Sequence, residues 1–170
     1  MKFIENIKIR FLKKKLKNST RKNRRVIIKT PEQILDVLIL SNNENEEFFK
    51  SASSVFFNAE LKALFVRQQK EDKTGQFRYS IHESDFNLTG SLKNDKLAKL
   101  LQTKFDLIID LSNDSELLNY FLHNIDSDLI IGKLGNIYEN LHDLFLDFGL
   151  NEESFLKNIN IQLNKLNHGK

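Results

Sequence analysis

The chain of 170 residues has no cysteine. Disulfides, thiolate nucleophiles, Cys-ligated zinc and iron–sulfur clusters are therefore excluded, which fits a reducing, cytoplasmic setting. Tryptophan is also absent, and Pro31 is the single proline. No apolar run reaches the roughly 18 residues of a membrane-spanning helix. A secretory leader is not expected either, because basic residues continue from Lys8 to Lys17 with no apolar core behind them. Six glycines make no phosphate cradle. Gly132-Lys133-Leu134-Gly135 matches neither the dinucleotide fingerprint nor the P-loop, and it reads as a turn. No Gly-x-Ser-x-Gly elbow is present.

Histidine is scarce, at His82, His123, His142 and His168. His142 is the one read with possible ligand partners, Asp143 and Asp147, but on a strand His142 and Asp143 would face opposite ways. Acid pairs such as Asp126/Asp128 are expected by chance among 23 acids. Neither a catalytic residue, a metal site nor a cofactor is indicated. The composition favours a binding module over an enzyme.

What the chain has instead is charge of one sign at one end. Residues 1–29 hold twelve Lys/Arg and one acid, net +11, while residues 30–170 hold fourteen Lys/Arg and 22 acids, net −8. A basic arm joined to an acidic body suggests a polyanionic partner. The candidate contacts are Lys8, Arg10, Lys13, Lys14, Lys15, Lys17, Arg21, Lys22, Arg24 and Arg25. Residues 2–17 suit a helix, with Phe3, Ile4, Ile7 and Phe11 on one side and Ile9, Leu12 and Leu16 elsewhere.

Residues 30–170 read as one domain of alternating strands and helices. Thr30-Pro31-Glu32-Gln33 has the signature of a capped helical turn. Ile34–Leu40 is strand-like, Ser41-Asn42-Asn43-Glu44 resembles a capping box, and a helix is expected over 43–58. Leu61–Val66 and Phe77–Ile81 follow as strands, the second at an edge, and Leu92–Gln102 as a helix. Phe105–Ser112 is an apolar run of strand length, as befits a strand buried on both faces of a parallel sheet. Ser112-x-x-Ser115 or Asn113-x-x-Glu116 would cap the helix behind it. Asp128–Gly132 is the next strand, Asp143–Phe148 favours a strand over a helix, and Asn151 caps a final helix. The fold class is α/β: a three-layer Rossmann-like fold with a mainly parallel sheet, plus a basic N-terminal helix. Fourteen phenylalanines supply its core.

Phe11–Leu16, Arg24-Arg25-Val26-Ile27, a strand ending near Leu40, and Phe105–Ser112 together resemble a family of small uncharacterised bacterial proteins, known only as a domain of unknown function. The resemblance implies a cytoplasmic α/β protein and brings no activity or functional residue. Phe105–Ser112 alone is similar to one strand of heptosyltransferase-type glycosyltransferases.

The leading expectation is a non-enzymatic module tethered by its arm to nucleic acid, either structured RNA or the ribosome, through phosphates rather than bases. The alternative is a module peripheral to an anionic membrane surface, or bound to another protein, through the same helix. The third is a small nucleotide or sugar-nucleotide enzyme with a ligand edge at Ser41, Asn42, Asp110, Ser112, Asn113 and Ser115, where acids oppose phosphate. Nothing in the sequence indicates an oligomeric state.

Overall fold

The computed structural model describes residues 9, 10, 12–14, 25–67, 78–112, 115–135, 139–147, 149 and 151–168. Six strands are seen: β1 (Asp36–Ser41), β2 (Glu60–Val66), β3 (Arg78–Ile81), β4 (Lys104–Asp110), β5 (Asp126–Lys133) and β6 (Leu144–Leu146). They form a single sheet in the order β3-β2-β1-β4-β5-β6, and every neighbouring pair is parallel. The β1–β4 pair is the switch point from which the chain builds outward in both directions. Four helices are described: α1 (Glu46–Val55), α2 (Asp95–Leu101), α3 (Glu116–Asn124) and α4 (Glu152–His168).

Apolar side chains on successive strand positions feed two separate cores, one on each face. Leu38, Leu40, Ile108 and Ile130 point to the first face, where Leu97 and Leu100 of α2 and Leu118, Phe121 and Leu122 of α3 cover them. Val37, Ile39, Leu107, Ile109, Leu129 and Ile131 point to the second. There Phe48 and Ala52 of α1 meet Phe155, Leu156, Ile159 and Leu163 of α4. The step from β1 to β2 uses α1, and the steps from β3 to β4 and from β4 to β5 use α2 and α3. Reversing direction while keeping crossovers of one hand puts these helices on opposite faces. The second face under β4 and β5 is then bare, and α4 returns to fill it with its i, i+3, i+4 stripe.

The capped turn expected at Thr30–Gln33 forms as a 3-10 turn at Pro31–Gln33, in which the Thr30 N–H donates to Gln33 Oε1 at 3.1 Å. Several other element ends differ from expectation. Ser41 does not cap α1. It ends β1, its hydroxyl donates to the Asn43 carbonyl, and Asn45 is the N-cap, accepting from the Phe48 N–H at 3.0 Å. Ser115, not Ser112 or Asn113, caps α3. Gly132 and Lys133 belong to β5, so the turn expected there begins only at Leu134. The strand expected over 143–148 is the three-residue β6.

The linker into β1 is clamped at the amino edge of the sheet. The Ile27 N–H donates to the Asp128 carbonyl at 3.1 Å, and Lys29 pairs with Asp106 and Asp128. Asp106 also accepts from the Leu35 N–H at 2.7 Å. Lys104 reaches Asp128 from outside at 2.8 Å. Burial alone would raise the Asp128 pKa, but hydrogen bonds from Lys104 and Lys29 outweigh it and hold the carboxyl below its ordinary range. Lys29 shows the mirror effect: burial opposes its charge, and the bonds to Asp106 and Asp128 raise its pKa.

Candidate functional site

Register decides what the carboxyl edge of the sheet can present. Leu40, Asp110 and Gly132 lie in one row across β1, β4 and β5. One residue further, Ser41, Leu111 and Lys133 point to the second face. These three floor a crevice of about 210 Å3, whose rim is Asn42, Asn43, Glu44 and Asn45 before α1 and Glu152 at the start of α4. Asn45 Nδ2 donates to Glu152, which ties the two helix starts together. Glu44 is engaged by Arg78, which also holds Glu46. Among the described lining residues Leu111 is the only apolar one.

The row behind it faces the other way. Asp110 is fully buried on the first face, where its Oδ1 accepts the Ser112 N–H at 2.9 Å. Its Oδ2 lies 2.8 Å from His142 Nε2, and both side chains are 0% exposed. The imidazole lies directly over Gly132, where any Cβ would come within 2.4 Å of His142 Cδ2. Phe145 packs against the ring at 5.1 Å. The Ser112 hydroxyl is buried, with no hydrogen-bond partner among the described residues. This arrangement braces the segment before β6 against β4. A pair sealed from solvent on both sides cannot exchange a proton with a substrate in the crevice, which opens on the opposite face.

The predicted ligand edge is thus divided. Ser41 and Asn42 line the crevice, while Asp110 and Ser112 point to the other face and Ser115 caps α3. Asn113 lies outside the described residues. Lys133, Asn45 and Glu152 were missed in the sequence because their approach depends on strand order and on the return of α4. His142 was missed because its partner is 32 residues away. Among the described residues no group of three or more His, Asp or Glu could hold a metal ion.

The basic arm meets the body on the first face. Ile9, Arg10, Leu12, Lys13 and Lys14 are helical. Leu12 is 1% exposed and belongs to the core of that face. It lies over Gly90, whose φ of +75° turns the loop before α2 and where a Cβ would come 3.4 Å from Leu12 Cδ2. Lys13 pairs with Glu116 in the first turn of α3 at 2.7 Å. Arg10 and Lys14 are exposed beside this seat, and Arg25 is exposed at the far end of the linker. Lys8, Lys15, Lys17, Arg21, Lys22 and Arg24 lie outside the described residues, as do Phe3, Ile4, Ile7 and Phe11.

Strand order and crevice together define a Rossmann-like α/β protein with a basic segment seated on one face. Within that class the chain belongs to the Family of unknown function (DUF6913), which matches residues 8–166. No curated protein and no solved structure matches it. Among the described residues no helix is long and apolar enough to cross a membrane.

Proposed function

We propose that the chain is a binding module that contacts structured RNA, the ribosome included, through its seated basic arm. The observation that carries this reading is the seat itself. Leu12 faces inward and Lys13 is held by Glu116, so Arg10 and Lys14 are displayed on a framed helix rather than on a loose tail. Fixing the cations before binding lowers the ordering cost on contact. No base-reading motif accompanies them, so the contacts would be to phosphate and to shape.

The test is co-sedimentation with ribosomes and with anionic vesicles. One variant exchanges Phe3, Ile4, Ile7 and Phe11 for serine; another exchanges Lys13, Lys14, Lys15, Arg21, Lys22, Arg24 and Arg25 for glutamine. RNA binding survives the first and falls at least tenfold with the second. Vesicle binding lost in both variants, with no ribosome association in the parent protein, would contradict the proposal and assign the arm to membranes.

A further inference from the structure

The crevice lies on the second face, away from the arm, and the sheet itself sets its residues side by side. Ser41, Leu111 and Lys133 stand one residue beyond the paired row of Leu40, Asp110 and Gly132, at the switch point where parallel sheets hold ligands. Its walls are built without a ligand. Ser41 is 8% exposed, and its hydroxyl donates to the Asn43 carbonyl at 2.5 Å. Asn45 uses both ends of its amide on the frame: Oδ1 accepts from the Phe48 N–H and Nδ2 donates to Glu152. Glu44 is held by Arg78 at 2.5 Å. Walls fixed in this way lower the ordering cost of binding.

The lining mixes donors and acceptors around one short perimeter. Asn42 and Asn43 stand on the rim, and among the described residues nothing bonds to either side-chain amide. Each amide presents donors and an acceptor oxygen. The Ser41 hydroxyl, already a donor, keeps its lone pairs for accepting. Glu44 and Glu152 accept only, and Lys133 donates only. A phosphate would lie against the two carboxylates and a simple cation against Lys133, and like charges at close quarters oppose binding. A hydroxyl donates and accepts at once, so a neutral molecule bearing several of them meets both kinds of group without adding charge. The open capacity lies mostly in the neutral groups of Ser41, Asn42 and Asn43, which favours hydroxyls over the two charges of a zwitterion. Size agrees: about 210 Å3 falls below the roughly 300 Å3 at which pockets for drug-sized ligands begin, which suits a single sugar ring rather than a nucleotide.

We propose that this crevice is a binding site for a neutral polyhydroxylated molecule the size of one monosaccharide, held by Asn42 and Asn43 at the rim and by Ser41, Lys133 and Glu152 around it. The site is separate from the arm, whose seat is on the opposite face. The experiment is an NMR titration of the isotope-labelled full chain. The probes are D-glucose, D-galactose, D-mannose, D-ribose and myo-inositol at millimolar concentration, with inorganic phosphate and free glycine for comparison. Backbone amide shifts are followed at Asn42–Asn45, Lys133 and Glu152. The parent is compared with Asn42→Ala/Asn43→Ala and, on the opposite face, with Arg10→Gln/Lys14→Gln. Thermal unfolding checks that each variant folds.

At least one polyol is expected to give saturable shifts at the crevice. The Asn pair variant is expected to lose at least tenfold in affinity for it, and the Arg10/Lys14 variant to keep it. No saturable shift with any of the polyols overturns the proposal. Shifts that fall elsewhere, or affinity that survives the loss of both Asn amides, overturn the site. Tighter binding of phosphate or glycine than of every polyol overturns the ligand class. Should the Asn pair variant fail to fold, the map of shifts in the parent decides the site. None of these outcomes bears on RNA binding by the arm, so the two readings stand or fall separately.

Discussion

An alanine at position 132 would place its Cβ 2.4 Å from His142 Cδ2, so either the imidazole or β5 must move. Gly132→Ala is expected to cost about 1–3 kcal/mol, the usual range for overpacking a tight core. A denaturant midpoint equal to the parent's would show that the ring does not lie there. The same site predicts coupling: a double-mutant cycle on Asp110→Asn and His142→Gln should give an interaction of about 0.5–3 kcal/mol, whereas additive single effects would mean that the 2.8 Å contact contributes nothing. None of this was legible in the sequence. Asp110 read as the end of a strand and a phosphate-repelling loop, and His142 as a lone histidine beside Asp143. Asp143 does have a role, but elsewhere, accepting the Ile130 N–H at 2.6 Å. The strand and its buried character were readable from Phe105–Ser112; the partner of its last acid was not, because nothing local encodes a contact across a sheet row.

Elements were more legible than their ends. Periodicity placed the six strands and the four helices of the body, since alternation and i, i+3, i+4 spacing are properties of short windows. Capping was misplaced at Ser41 and Ser112 because both serines fall at strand ends, several residues short of the helices, and Asn45 and Ser115 are the residues that satisfy the first helical turns. Phe3, Ile4, Ile7 and Phe11 were read as one side of the arm helix and lie outside the described residues, while Leu12, read off that side, is buried in the core. Leu12→Ala should therefore loosen the seat. A buried leucine truncation is worth about 2–5 kcal/mol, felt here locally, so trypsin should cut within residues 1–29 several-fold faster while the body stays folded. An unchanged cleavage rate would contradict the seat. The clamp on the linker carries a pH signature. The Asp128 pKa is lowered in the folded state, so the unfolded chain binds the proton more readily as pH falls. The clamp's contribution is complete above the unfolded carboxylate value of about 3.9 and fades as pH drops through the lower folded value. Asp128→Asn should flatten that acid limb of the stability profile; a limb of unaltered steepness would mean that other carboxylates set it.

At the scale of the whole molecule, topology does what the sequence pattern cannot show. The strand order brings Ser41, Leu111 and Lys133 into one row and sends Asp110 to the opposite face. The charge asymmetry was visible from the first 29 residues, but its geometry was not. Leu12 seats the arm on the core face that α2 and α3 also cover. The central claim is that this face binds RNA through phosphate contacts, and the salt dependence of binding tests it most directly. Affinity for a structured RNA should be measured from about 50 to 200 mM salt, for the parent and for Arg10→Gln/Lys14→Gln. A protein making 6–10 phosphate contacts loses about 10³–10⁵ in affinity over that range. The prediction is a steep linear fall of log K with log salt in the parent, and a slope shallower by about 2 in the variant. Binding that is independent of salt, or a slope that the variant leaves unchanged, would contradict it.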